Sequence, residues 1–170
     1  RAPRWWEEAS ASFLALFTTG DLRAHDSGLR ARLQSPGRGL GSDGLMLMEG
    51  SLLWPLFLTE IAGDPSIVRL IWEEMAALES EPSAATDAVL RRSGRSLQDT
   101  WREFAAWNLF TGERDDGQHY SEGGAWAPFI TETDGRVRIL RRHDSFPAAG
   151  DQGTAPPLPL AAAYVEFAPP

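Results

Sequence analysis

Apolar residues recur at helical spacing over most of the first two thirds of the chain. Between them runs a polar, glycine-rich stretch, 21–44, which favours a loop with one short helical turn near 28–33. The pattern predicts five helices, at 5–19, 50–62, 65–79, 84–92 and 97–111.

Local signals define several of these helix ends. Asp64 followed by Pro65 is typical of an N-cap and a first helical residue. Ser96 and Asp99 resemble a capping box, while Gly20 and Gly63 mark helix C-termini. The predicted core between the helices includes Trp54, Trp72, Trp101 and Trp107.

The pattern changes after Gly112. Residues 113–128 are polar and rich in glycine, "GRVRILRR" at 135–142 alternates like a strand, and "LPLAAAYVEF" at 158–167 favours a second strand. We therefore expect a mainly α fold: a five-helix lobe over 1–112, then a loop-rich segment, 113–170, that leads into a β module.

Composition excludes several classes of function. The formal net charge of -8 over 170 residues argues against a nucleic-acid partner and against an anionic membrane surface. No apolar run reaches the roughly 20 residues that span a bilayer. The chain has no cysteine, which excludes disulfides, thiolate metal ligands and a cysteine nucleophile.

The first helix raises the question of where its two glutamates point. Neighbours on a helix diverge, so Glu7 and Glu8 cannot share one face. Glu8 is predicted at the edge of the buried stripe, in a seam of small residues that would admit another backbone. The stripe comprises Trp6, Ala9, Phe13, Leu16 and Phe17, and the seam Ala11, Ser12 and Ala15. Alternatively, both acids complement the helix dipole and are solvated.

Other candidate chemistry is less specific. The acids and histidine of "RDDGQHYSE", residues 114–122, offer oxygen ligands for calcium but lack EF-hand spacing, which favours a solvated turn. His25, His119 and His143 lie in predicted loops or turns, where solvated histidines are expected. The candidate carboxylates for glycoside cleavage lie beside tryptophans, and they are Glu7, Glu8, Glu73 and Glu74.

The segment "WWEEASA" resembles the tryptophan–x–x–glutamate–small–x–alanine element of gluzincin metallopeptidases. In this mapping Trp5 is the aromatic residue, Glu8 the zinc ligand, Ala9 the small residue and Ala11 the packing alanine. Three further segments, "GSLLWPLFLTEIAGDPSIVRLIWEEMA", "GRSLQDTWREFAAWNLFTGER" and "HYSEGGAWAP", are similar to the secreted metalloproteases of myxobacteria and their relatives. The similarity covers roughly 4–167.

The resemblance implies a zincin-like bacterial peptidase in which Glu8 is the third zinc ligand, with Glu7 as the runner-up. The two histidine ligands and the general base would come from an HExxH helix, which these residues lack, so the chain is expected to be a fragment downstream of it. A tyrosine expected before the "GSLLW" helix is Glu49 here.

The resemblance also implies a peptide or protein substrate and an extracellular or cell-envelope location. The alternatives are a non-catalytic helical interaction domain and, third, a glycan-binding or glycoside-cleaving module. If Glu8 is the ligand, its carboxylate should project into a cleft and pair with no arginine of this chain, while Glu7 faces solvent.

Overall fold

The computed structural model describes residues 3–126, 135–144 and 160–167. Within them the protein is mainly α-helical with a short C-terminal β segment, which confirms the predicted fold class. The α-helices are α1 (Arg4–Thr19), α2 (Asp26–Gln34), α3 (Leu45–Gly50), α4 (Leu53–Ala62), α5 (Ser66–Leu78), α6 (Pro82–Arg91) and α7 (Leu97–Leu109). The strands β1 (Arg141–His143) and β2 (Val165–Phe167) pair in parallel.

The helix-end signals are confirmed. Asp64 Oδ1 accepts a 2.8 Å hydrogen bond from the Ser66 amide at the start of α5. Ser96 Oγ accepts a 3.1 Å bond from the Asp99 amide at the start of α7. Each capping hydrogen bond joins residues two or three positions apart. These helix starts can therefore be recognised from the local sequence, without the tertiary structure.

Two features of the N-terminal half differ from the prediction. The stretch 21–44 is largely helical, since a 3-10 turn at Leu22–His25 leads directly into α2. The helix predicted at 50–62 begins earlier, as α3 at Leu45, and is interrupted by a turn before α4.

Gly28 accounts for the difference between the predicted loop and the observed helix α2. A Cβ atom built on Gly28 would lie 2.9 Å from the Gly50 amide nitrogen, and one on Gly50 would lie 2.0 Å from the Gly28 carbonyl oxygen. The two glycines let the backbones of α2 and α3 touch. Gly28 is therefore a packing residue within a helix, although a glycine in a polar stretch usually indicates a turn.

Arg32 closes the loop that joins α2 to α3. Its side chain is only 5% exposed and donates to the carbonyl oxygens of Arg38, at 2.7 Å, and of Leu47, at 3.2 Å. Burial lowers the pKa of the guanidinium to about 10, with a smaller contribution from the nearby charge of Arg38. The buried cation is stabilised by backbone carbonyl groups.

The core is built around an aromatic cluster between α4 and α7. The Trp54 ring packs 5.7 Å from Phe57, 5.4 Å from Trp101 and 5.1 Å from Phe104, measured between ring centroids. Of the four tryptophans predicted in the core, Trp54 is buried, while the other three are half-buried and pack against the core.

The described part of the C-terminal segment packs on the helices. The Arg138 amide donates to the Leu33 carbonyl at 2.9 Å, and the Tyr164 hydroxyl donates to the Ala105 carbonyl at 2.7 Å. These bonds attach the strand region to α2 and α7.

One described segment, Leu45–Ala62, has the length and composition of a membrane-spanning helix, with 18 residues and a mean hydropathy of 1.3. Half of the segment is buried inside the protein, and the turn between α3 and α4 interrupts it. Core helices share these properties. Helix α4 lies in the core of the protein, because three of its side chains are at most 1% exposed: Leu53, Trp54 and Phe57.

Candidate functional site

Glu8 lies on the outward side of α1. The face of α1 that packs on the core comprises Trp6, Ala9, Ser10, Phe13 and Leu16. In contrast, the helical neighbours of Glu8, three, four and seven positions away, are half-buried or exposed, and they are Arg4, Trp5, Ala11, Ser12 and Ala15. Glu8 itself is half-buried and its neighbour Trp5 packs against the core, so Glu8 lies beside the buried face without belonging to it.

The carboxylate of Glu8 has an arginine partner. Arg4 Nε lies 3.5 Å from Glu8 Oε1, one helical turn away, so the expectation of an unpaired carboxylate is wrong. The side chains are 68% and 32% exposed, respectively, and solvent weakens such an ion pair to about 1 kcal/mol or less. The contact can be displaced at little cost.

The seam of small residues beside Glu8 faces outward. Ala11 and Ala15 are exposed and Ser12 is half-buried. Leu14 and Phe17, farther along the helix, are 55% and 60% exposed. Phe17 was predicted in the buried stripe, but it lies in the last turn of α1. Small side chains therefore surround Glu8, whereas Leu14 and Phe17 lie on other faces of α1.

The tryptophan element before Glu8 holds α1 against α5. Trp6 is fully buried, with its ring centroid 5.6 Å from Trp5 and 6.3 Å from Trp72. Trp72 Nε1 donates to Ser10 Oγ at 3.3 Å, and Ser10 Oγ donates to the Trp6 carbonyl at 2.7 Å. These contacts fix the first two turns of α1, and with them the backbone at Glu8.

Glu7 and Glu49 occupy different settings. Glu7 is a half-buried acid in the first turn of α1, where a negative charge complements the helix dipole. Glu49 lies near the end of α3, and its Cβ atom is 3.3 Å from the position that a Cβ on Gly28 would take. Glu49 therefore borders the crossing of α2 and α3.

The loop considered for calcium uses its acids internally. Asp116 Oδ1 lies 2.7 Å from His119 Nδ1 and accepts from the Gln118 amide at 3.0 Å, and these bonds lower the pKa of Asp116. The His119 ring stacks 4.3 Å from Phe110. No group of three histidine, aspartate or glutamate side chains in the described residues is arranged to hold a metal ion.

The acids considered for glycoside cleavage on α5 are engaged in ion pairs. Glu73 pairs with Arg69 one turn away, and Glu74 pairs with Arg92 of the following segment. Each of these two carboxylates pairs with a neighbouring arginine, so Glu73 and Glu74 do not form a free acid pair beside Trp72. This arrangement is typical of a charged helix surface.

The sequence does not predict one pair of neighbouring carboxylates, Glu60 and Glu122. Glu60 of α4 accepts hydrogen bonds from the Ser121 amide at 2.9 Å and from the Ser121 hydroxyl at 2.9 Å. The neighbouring residue, Glu122, lines the same pocket as Glu60. Glu60 and Ser121 are 61 positions apart, so no spacing rule brings them together.

No protein family, curated protein or solved structure matches the chain.

Proposed function

We propose that this chain is the helical lobe of a gluzincin-like zinc metallopeptidase and that Glu8 is the third zinc ligand. The observation that carries the proposal is the position of Glu8 on the outward side of α1, beside Ala11 and Ala15. A catalytic zinc site needs a carboxylate that an adjacent helix can approach closely, and small side chains permit that approach. The contacts of Trp6 and Trp72 hold this part of the helix in place.

The described residues do not form a zinc site by themselves. Catalytic zinc in this class takes two histidines, one carboxylate and a water, and the sequence has no HExxH pair. His119 and His143 instead stack on Phe110 and Phe167. The proposal therefore assigns one ligand to this chain and the HExxH helix to an upstream segment of the same protein.

Zinc bound at such a site would lower the pKa of its water and polarise the scissile carbonyl. Glu8 would contribute an anionic oxygen ligand. Its present partner, Arg4, would give up only a weak, exposed contact. A peptide or protein substrate and an extracellular or cell-envelope location in a bacterium belong to the same proposal.

The decisive experiment compares Glu8→Gln with Glu7→Gln in the full-length protein. A neutral amide is a poor replacement for an anionic ligand, so we expect Glu8→Gln to lose most of its bound zinc and its hydrolysis of a casein-type substrate. Glu7→Gln is the matched control on the same turn and should retain both. Arg4→Ala should also retain zinc.

Equal zinc content and equal hydrolysis in the Glu8 and Glu7 variants would remove Glu8 from the site. The gene sequence upstream of Arg1 provides a second test. An amphipathic helix with HExxH within a few tens of residues is expected, and its absence would contradict the peptidase proposal.

The second candidate is a non-catalytic helical interaction domain. The exposed Leu14 and Phe17 favour it, because large apolar side chains on the outside of a helix are typical of a surface that another protein covers. It predicts that Leu14→Ser weakens association with a partner, whereas Glu8→Gln changes no metal content.

A further inference from the structure

A pocket of about 200 Å³ lies between the end of α1, the middle of α4 and the segment 120–126. Its volume suits one amino-acid side chain, since sites for larger organic ligands are usually 300–1,000 Å³. The lining residues that matter for its chemistry are Leu16, Leu56, Glu60, Tyr120, Glu122 and Trp126.

The aromatic part of the pocket wall is held firmly. Trp126 is 0% exposed, and its ring centroid lies 5.1 Å from that of Tyr120. The buried Tyr120 hydroxyl donates to Asn108 Oδ1 at 2.8 Å. Burial raises the pKa of Tyr120 well above its usual value of 10, so the phenol remains a neutral hydrogen-bond donor. These two rings therefore form a buried, uncharged part of the wall.

Two carboxylates lie in the same lining. Ser121 holds Glu60 in place, because its amide and its hydroxyl both donate to the carboxylate. Glu122 is exposed. Within the described parts of the chain, no arginine or histidine forms an ion pair with Glu60 or Glu122. The pocket therefore combines apolar and aromatic walls with negative charge that no described arginine or histidine neutralises.

We propose that this pocket binds the side chain of a lysine or arginine residue in a peptide. Such a side chain has an apolar stem and a cationic end. The stem would pack on Leu16 and Leu56, and the cation would lie near Glu60 and Glu122. The ring of Phe17, which lines the pocket and is 60% exposed, also attracts a cation. An anionic group would be repelled, and an uncharged apolar group would leave the carboxylates uncompensated.

This assignment does not depend on zinc or on Glu8, because it concerns a different set of residues. The test uses three blocked amino acids as probes: Nα-acetyl-lysine methylamide, its norleucine counterpart with a similar uncharged stem, and its glutamate counterpart. Binding is followed by the NMR shift of the Trp126 indole N–H, identified by its loss in Trp126→Phe. The lysine probe should bind about tenfold more tightly than norleucine, and the glutamate probe should not bind.

Variants of the two glutamates test which carboxylate attracts the cationic end of the lysine probe. Glu60→Gln keeps an oxygen that can accept from Ser121, and Glu122→Gln changes an exposed side chain, so both should fold. Each is expected to weaken the lysine probe several-fold, and the double variant should reduce its affinity to that of norleucine. Glu81→Gln is the control, because this exposed acid lies in a separate cleft beside Pro3, at the other end of α1.

Three results would overturn the assignment. They are equal binding of lysine and norleucine, lysine binding that survives the double variant, and no shift of the Trp126 indole at saturation. If Glu60→Gln unfolds the protein, Glu122→Gln decides alone, since unchanged lysine affinity in that variant also contradicts the proposal. Glu8→Gln should leave lysine binding intact, so this test and the zinc test fail independently.

Discussion

Substitution of Gly50 by alanine tests the close crossing of α2 and α3. The added Cβ would lie 2.0 Å from the Gly28 carbonyl oxygen, 2.6 Å from the Gly28 carbonyl carbon and 2.9 Å from Arg32 Cβ. Favourable contact begins at roughly 3.5 Å, so the closest pair is short by about 1.5 Å. Two of the three obstructing atoms are backbone atoms and cannot rotate away. The helices must therefore separate.

Separation of the helices costs packing energy. A gap of 0.5–1 Å already forfeits about a quarter to a half of the dispersion energy of each contact, and overpacked cores typically lose about 1–3 kcal/mol. We expect the upper part of this range because the obstacle is backbone. Alanine's better helix propensity offsets at most about 1 kcal/mol, which leaves a net loss of about 2 kcal/mol in the free energy of unfolding.

Urea unfolding followed by far-ultraviolet circular dichroism measures this loss. Gly37→Ala is the matched control, because a Cβ at Gly37 meets no atom within 4 Å and its φ angle is not positive. It should stay within about 0.5 kcal/mol of the parent protein. A Gly50→Ala variant as stable as the Gly37→Ala variant would refute the backbone contact.

Two further predictions concern side chains that anchor the helices. Arg32→Lys should lower the free energy of unfolding by about 2 kcal/mol in urea, because one ammonium cannot replace the forked bonds to the carbonyls of Arg38 and Leu47; an unchanged urea midpoint would contradict this. Asp64→Ala should lower the thermal midpoint at neutral pH, since the carboxylate accepts from Ser66. These bonds hold the pKa of Asp64 below 3.8. Its contribution is present above that pH and is lost as the pH falls through the folded pKa, so the two proteins should converge in acid.

The parts of the fold that the sequence predicts correctly depend on neighbouring residues. The starts of α5 and α7 are specified by hydrogen bonds across two or three positions, at Asp64 and at Ser96. Gly20 and Gly63 end their helices with φ angles of 66° and 65°, which glycine adopts at little cost. These signals can be recognised from the sequence alone, because they do not depend on tertiary structure.

The errors come from residues whose role is set by distant partners. Gly28 indicates a turn until Gly50 is placed against it. The pairing of Glu60 with Ser121 requires α4 and the segment after α7 to be folded together. Neither partner can be recognised from spacing, because each is more than twenty positions away.

At Glu8, the candidate zinc ligand, some features follow from the local sequence and others depend on the tertiary structure. The pairing of Glu8 with Arg4 follows from a separation of four residues and was available from the sequence. The orientation of Glu8 also follows from the identity of its helical neighbours. What the sequence could not supply is that Phe17 lies exposed at the end of α1 while Ser10 takes a place in the buried face.

The two proposed sites share α1 but can be separated experimentally. Glu8 and Leu16 are eight residues apart, which is about 12 Å along a helix axis. A variant that disturbs the packing of α1, for example through its neighbour α3 at Gly50, should weaken both zinc retention and lysine binding. Substitution of Glu8 should affect only zinc, and substitution of Glu122 only the lysine probe. Because a loss of fold changes both readouts together, only a change in one readout alone identifies a residue that contacts a ligand.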